Sequence, residues 1–292
     1  MGLLSGLAAV ILPVLLMSFA GYLWGRRRMP FDQELVTNLV TLVGAPCLVF
    51  STLTKIHLPA LQVVLVGSAT LACLVLFAAI AAVALVAVRL PANVYLPSLV
   101  FPNIGNMGLP VCLFAFGEDG LALAMIYFTV TTIGQFTLGP AIAAGRFRPD
   151  LLKAPFLPAV AAAMAVDGFH LTVPQWLANT TSLASGLTIP LMLLALGVAL
   201  AQLKVANLQR ALALSVGRLT LGAGGGWLVA LVFGLHGAAR GVVIVESAMP
   251  VAVFNYLFAR LYGDQPEEVA GMVLVSTILS YLTLPLLIAA VQ

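Results

Sequence analysis

Apolar residues in this chain fall in long blocks separated by short polar stretches. Ten apolar segments can be drawn, at approximately 3–24, 34–54, 61–88, 94–115, 120–144, 155–169, 182–201, 208–235, 238–261 and 268–290. Crossing the hydrocarbon of a bilayer takes about 20 apolar residues in a helix. The pattern therefore predicts an all-α membrane protein with ten transmembrane helices, of which 155–169 is the shortest.

Composition agrees. Of the 292 residues, 62% are hydrophobic and 8% charged. A soluble domain carries about 25% charged residues, so lipid is the expected solvent for most of the chain. The ten spans use nearly all of it, which argues against a membrane-anchored enzyme or a sensor with an output module. The run Leu3 to Trp24 lacks a basic leader and a small-residue cleavage site, so it reads as a retained helix. Cys47, Cys73 and Cys112 lie in apolar segments with no CxxC or Cys/His cluster. They read as small buried hydrophobes, and neither a metal site nor a cofactor is expected.

Loop charge gives a direction. With the N-terminus outside, the cytoplasmic loops hold Arg26, Arg27, Arg28, Arg89, Arg146, Arg148, Lys153, Lys204, Arg210 and Arg260. The outer loops hold only Lys55 and Arg240, together with the acidic pair Glu118–Asp119. Both termini are then extracytoplasmic.

The halves repeat at a shift of about 145 residues: Pro13 falls on Pro158, Pro46 on Pro190, and Pro140 on Pro285. Thr131-Thr132-Ile133-Gly134-Gln135-Phe136 lies over Ser276-Thr277-Ile278-Leu279-Ser280-Tyr281, and the turn Gly117-Glu118 over Gly263-Asp264. With five spans per half, the second must cross in the opposite sense. The expected division is 1–145 and 146–292, an inverted repeat of the kind used by alternating-access carriers.

Two spans are interrupted at matching places. The fourth reads Phe101-Pro102-Asn103-Ile104-Gly105-Asn106-Met107-Gly108-Leu109-Pro110, and the ninth Glu246-Ser247-Ala248-Met249-Pro250-Val251-Ala252-Val253-Phe254-Asn255. Proline removes a backbone donor and clashes one turn back, and each glycine costs about 1 kcal/mol relative to alanine in a helix. Unwound backbone survives at membrane depth only where protein or a wet cavity satisfies it. Such paired interruptions point to a transport site. The half-helix N-termini after them suit an anionic group such as a carboxylate.

The runs Pro102-Asn103, Met107-Gly108-Leu109-Pro110 and Gly117, with Ala248-Met249-Pro250 and Phe258-Ala259-Arg260-Leu261-Tyr262-Gly263, resemble the crossover helices of the auxin efflux carrier family. That family includes the plant PIN proteins and bacterial malonate-transporter-like members. The resemblance covers the whole chain, except that the long cytoplasmic loop of the plant proteins is absent. It implies the fold of sodium/proton antiporters and bile-acid symporters, with broken helices 4 and 9 crossing at mid-membrane. Helices 1, 2, 6 and 7 would form a scaffold, and 3–5 and 8–10 a moving core. It further implies transport of a small organic anion, a homodimer and a place in a bacterial inner membrane. Asn103 beside Pro102 would contact substrate or hold the crossing open, with Pro250 as its partner. The paired membrane aspartates of the antiporters are missing, which weakens a case for sodium coupling.

The substrate-binding set expected at the crossing is Pro102, Asn103, Gly105, Asn106, Gly108, Pro250, Val251, Asn255, Thr132, Gln135 and Thr277. Thr131, Thr132 and Gln135, with Ser276, Thr277 and Ser280, either line the site or bond neighbouring helices. Glu246 is the carboxylate set well inside a span, about 12 Å from its outer end by helix rise. It reads as a proton-coupling group, or else as a partner for Arg240 or a protonated spectator. Arg218 attracts an anion, snorkels to the headgroups or pairs helices. Asn38, Thr41 and Ser51 are weaker candidates. His57, His170 and His236 map to solvated outer loops. Gly222 and Gly224 to Gly226 read as close helix packing, and Arg26 to Arg28 as a topology signal rather than a nucleic-acid patch.

The sequence reading is thus an organic-anion carrier with auxin-like or mono- and dicarboxylate substrates. The coupling ion and direction of transport are open. A sodium-coupled bile-acid-type symporter and a non-transporting membrane sensor or interaction protein are the alternatives. Broken helices speak against the sensor, since a scaffold needs no such spans.

Overall fold

The computed structural model describes residues 3–55, 59–145, 157–169, 171–262 and 265–292. The elements in order are α1 (Leu3–Arg26), α2 (Gln33–Leu39), α3 (Ala45–Lys55), α4 (Ala60–Ala87), α5 (Ala92–Val100), α6 (Leu109–Ala144), α7 (Leu157–Gly168), α8 (Gln175–Gln202), α9 (Leu208–Val232), α10 (Gly237–Ser247), α11 (Val253–Tyr262) and α12 (Pro266–Val291). A π-helical turn, Val40–Gly44, joins α2 to α3, and another, Ile104–Gly108, leads into α6. The described residues are all-helical. Extended pairing among them is confined to one antiparallel bridge between Pro102 and Val251.

The helices are apolar on their inward and outward sides alike. α4 buries Val66, Cys73 and Phe77 while exposing Leu71, Val75 and Val83. A helix apolar all round needs lipid or protein on every side. Six helical stretches among the described residues are long and apolar enough to cross a membrane: Ala8–Arg26, Ala60–Ala87, Ile104–Ala144, Gln175–Gln202, Leu208–Val232 and Pro266–Val291.

The difference from ten uniform spans has local causes. Segment 34–54 is divided by the π-helical turn at 40–44, and its second part is the shorter apolar helix Leu42–Lys55. Segments 94–115 and 238–261 stop at their proline-containing breaks, leaving α5 with 9 residues and α10 with 11. Segment 182–201 begins earlier, at Gln175, after Pro174. Between segments 94–115 and 120–144 a loop was expected. Instead helix resumes at once around Gly117, whose φ of 71° and ψ of −161° turn the chain in a single residue. That left-handed φ suits glycine, and Glu118 and Asp119 then sit at the start of the next helical stretch, where acids are favourable. Segment 155–169 gives α7, with Pro155 outside the described residues. Arg146, Arg148, Lys153, His57, His170 and the Gly263-Asp264 turn also lie outside them.

Packing joins elements distant in sequence. α1 runs along α8, and α3 packs on α7 and α8. Lys55 Nζ donates to Ser182 Oγ at 3.2 Å between α3 and α8. Elsewhere α9 packs on α12, and α10 on α6 and α9. Arg210 Nη1 donates to Glu268 Oε1 at 3.0 Å and to Tyr95 OH at 3.2 Å, tying α9 to α12 and α5.

Candidate functional site

The two unwound stretches lie against each other. Asn103 N–H donates to the Pro250 carbonyl at 2.7 Å, and Ala252 N–H donates to the Phe101 carbonyl at 3.4 Å. These bonds flank the Pro102–Val251 pair. Pro102 has no N–H to satisfy, so its place in the bridge loses nothing. Val251 N–H, pointing the other way, donates to Ser276 Oγ on α12 at 3.0 Å. Prolines ended the helices, and the strand-like exchange then satisfies groups that would cost several kcal/mol each if left bare in lipid.

Amide side chains complete the junction. Asn255 Nδ2 donates to the Phe101 carbonyl at 3.0 Å, and Gln135 Nε2 reaches Asn255 Oδ1 at 3.5 Å. Asn103, Gln135 and Asn255 are all buried. Asn103 Nδ2 and the Thr131 and Thr132 hydroxyls have no hydrogen-bond partner. Unused buried donors are uncommon in proteins, and the Asn103 amide lies on the unwound stretch itself.

Glu246 and Ser247 end α10 and face different neighbours. Glu246 is 0% exposed. Its Oε1 accepts from Cys112 Sγ at 3.6 Å, while Oε2 has no partner. Its carboxyl lies directly over Gly108, where any Cβ would collide with Oε2. Arg240, the expected structural partner, instead stacks over the Trp227 ring at 4.9 Å. Ser247 Oγ meets Tyr127 OH at 3.0 Å and Cys73 Sγ at 3.5 Å. Arg218, also 0% exposed, donates from Nη1 to the Leu99 carbonyl at 3.2 Å and from Nη2 to the Ser247 carbonyl at 2.7 Å. It pairs helices and does not snorkel.

Of the expected set, the structure joins Pro102, Asn103, Pro250, Val251, Asn255 and Gln135 through the bonds above. Thr132 lies nearly one turn before Gln135 on α6. Gly105 packs near Met192 and Phe128, and Asn106 is half-buried in the π-helical turn. Thr277 turns inward on its own helix, Oγ1 donating to the Val273 carbonyl at 2.7 Å. A threonine in a helix readily bonds back this way, and its neighbour Ser276 is the α12 hydroxyl that reaches the junction. Sequence reasoning took Cys73 and Cys112 as hydrophobes and passed over Tyr127. Their polar contacts depend on three-dimensional neighbours that no local pattern announces.

The family described as membrane transport protein matches residues 7–149 and 147–288. The chain belongs to this family, that of the auxin efflux carriers. It is 27% identical over 198 residues to an uncharacterized transporter of Methanocaldococcus jannaschii, covering 63% of each chain. It is 30% identical over 195 residues to an uncharacterized transporter of Methanothermobacter thermautotrophicus, again covering 63% of each. The matched stretch thus spans 63% of the length of these curated relatives. The six helical stretches among the described residues that are long and apolar enough to cross a membrane fit membership of this family.

Proposed function

We propose that this family member is a secondary carrier of small organic anions, auxin-like or mono- and dicarboxylate, with its site where the breaks at Pro102 and Pro250 meet. The carrying observation is the buried pairing of two unwound stretches beside an unpartnered Asn103 amide. The π-helical turn at Ile104 and helix α11 at Val253 both begin there. Helix beginnings present N–H groups and partial positive charge, which is what a carboxylate needs.

On this reading the chain makes ten passes as an inverted 5+5 repeat, with both termini outside. The stretch Ile104–Ala144 has 41 residues, about 60 Å at helical rise and twice a bilayer core, so it folds at Gly117 into two passes. The paired half-helices α5–α6 and α10–α11 form crossed broken spans. α1, α2–α3, α7 and α8 serve as scaffold, and the remaining helices move as a core past them. Glu246, buried against Gly108 with one carboxylate oxygen unpartnered, serves as the proton-coupling group.

The test is a thermal-shift screen of carboxylic acids on purified protein, then flux in liposomes under pH and sodium gradients. A carboxylate that raises the melting temperature and is transported supports the reading. Ligand binding without flux favours a sensor, and sodium-driven uptake favours a bile-acid-type symporter. For coupling, Glu246→Gln should fold normally and transport without pH dependence. Unchanged pH dependence removes Glu246 from the coupling step.

A further inference from the structure

Arg218 is unusual in its position and its partners. It sits within α9, completely buried, and lies over the Phe77 ring with 5.2 Å from its guanidinium carbon to the ring centroid. Among the described residues it makes no ion pair. Its two hydrogen-bond acceptors are the Leu99 carbonyl, in the last turn of α5, and the Ser247 carbonyl, at the end of α10. These are the C-terminal ends of the two half-helices that stop at the junction. Such ends carry unpaired carbonyls and partial negative charge. Brought together in lipid, two negative ends repel. One delocalised cation with a forked set of donors touches both.

The α9 face that carries Arg218 supports this contact. Gly222, one turn on, lies so close to the Ser247 carbonyl that a Cβ would overlap it. Gly226, a further turn on, faces the Ser247 side chain. The small residues bring the α9 backbone against the end of α10.

In carriers with discontinuous helices, unwound carbonyls and half-helix C-terminal ends are where a coupling Na⁺ is coordinated. We infer that Arg218 is a built-in cation that clamps both half-helix C-termini, so that the junction holds its shape without a bound metal ion. Arg218 is a positioning residue: it reaches the substrate region only through the helix ends it holds. This inference rests on the transport reading for its purpose, but its chemistry is testable without substrate.

The experiment uses the purified full chain without added carboxylate. Melting temperatures are compared in NaCl, KCl and choline chloride at equal ionic strength for wild type, Arg218→Gln and Arg218→Lys. Wild type should melt at the same temperature in all three salts. Arg218→Gln should melt several degrees lower, and part of that loss should return with millimolar methylguanidinium or with Na⁺ in place of choline. Arg218→Lys, a point charge that cannot fork, should fall between. A wild-type melting temperature that rises in Na⁺ overturns the inference even where Arg218→Gln cannot be purified folded. An Arg218→Gln loss that is identical in every salt and not rescued also overturns it, because it marks packing alone. Failure of every carboxylate to bind, with the cation pattern intact, would instead sink the transport reading and leave the clamp standing.

Discussion

The two breaks have similar backbones and different chemistry. At Pro102 the groups on the unwound stretch itself are neutral: a bridge to Val251, the Asn255 amide on the Phe101 carbonyl, and an Asn103 amide with an unused donor. At Pro250 the flanks are ionisable. Glu246 is sealed over Gly108, and Arg218 holds the Ser247 carbonyl from below the break. The second break is also anchored sideways, through Val251 N–H to Ser276. The matching of Pro102 by Pro250 in the sequence explains why the chain unwinds twice. It does not explain the charged side chains, which come from α9 and α10 even where they reach the first break, Glu246 at Gly108 and Arg218 at the Leu99 carbonyl. The first break therefore suits recognition of a ligand, and the second suits holding the junction and responding to protons.

The comparison can be broken most forcefully at Gly222. Gly222→Ala places a methyl into the Ser247 backbone, which cannot swing aside as a side chain would. Overpacking of this kind costs about 1–3 kcal/mol, and the melting temperature in detergent should fall accordingly. Gly224→Ala, two residues along, meets nothing within 4 Å and should melt like wild type. Equal effects at the two positions would mean that α9 does not press on the second break.

The next effect separates holding from recognition. Asn255→Ala strips a donor from the Phe101 carbonyl and a partner from Gln135, both buried. Loss of a buried partner costs about 1–3 kcal/mol, visible as a lower melting temperature. Asn103→Ala removes an amide whose Nδ2 bonds nothing. Its stability should hold or rise, while the thermal shift with carboxylates and liposome flux should disappear. Retained carboxylate response in a stable Asn103→Ala protein would move recognition away from the first break.

Much of this was legible in the sequence because proline and glycine act locally. A proline removes a donor in any surroundings, yet Pro13, Pro97, Pro140, Pro190 and Pro285 lie inside helices. It was the crowding of proline, glycine and asparagine at 102–110, matched by Pro250 in the other half, that marked the ends of α5 and α10. Apolar blocks likewise revealed an all-helical membrane protein. The π-helical turns at 40–44 and 104–108 did not show, since an extra residue in a helix is accommodated by neighbours rather than announced by residue type. Nor did the brevity of the turn at Gly117, where one positive φ does the work expected of a loop between two helices. Arg218 stood out as a charge in a span, but snorkelling and capping look alike until the acceptors are known. Gly222 read correctly as close packing without revealing its partner. Thr277 and Ser276 were indistinguishable in sequence, and the roughly 100° between adjacent helical residues decides which one reaches Val251.

That last pair frames the smallest expected effect. Ser276 Oγ accepts from Val251 N–H at 3.0 Å, whereas the buried Thr132 hydroxyl on the opposite side has no partner. Ser276→Ala removes the acceptor of the Val251 N–H and should lower stability by about 1 kcal/mol, the low end of the cost of an unmet buried donor, read as a small fall in melting temperature. Thr132→Val keeps the shape and removes a hydroxyl that bonds nothing, so it should melt at or above the wild-type temperature. If Thr132 belongs to the recognition side of the junction, the valine protein also loses carboxylate affinity despite its stability, whereas Ser276→Ala keeps that affinity. Both variants losing stability, with affinity unchanged in each, would make α6 and α12 equivalent supports and erase the distinction between the two breaks.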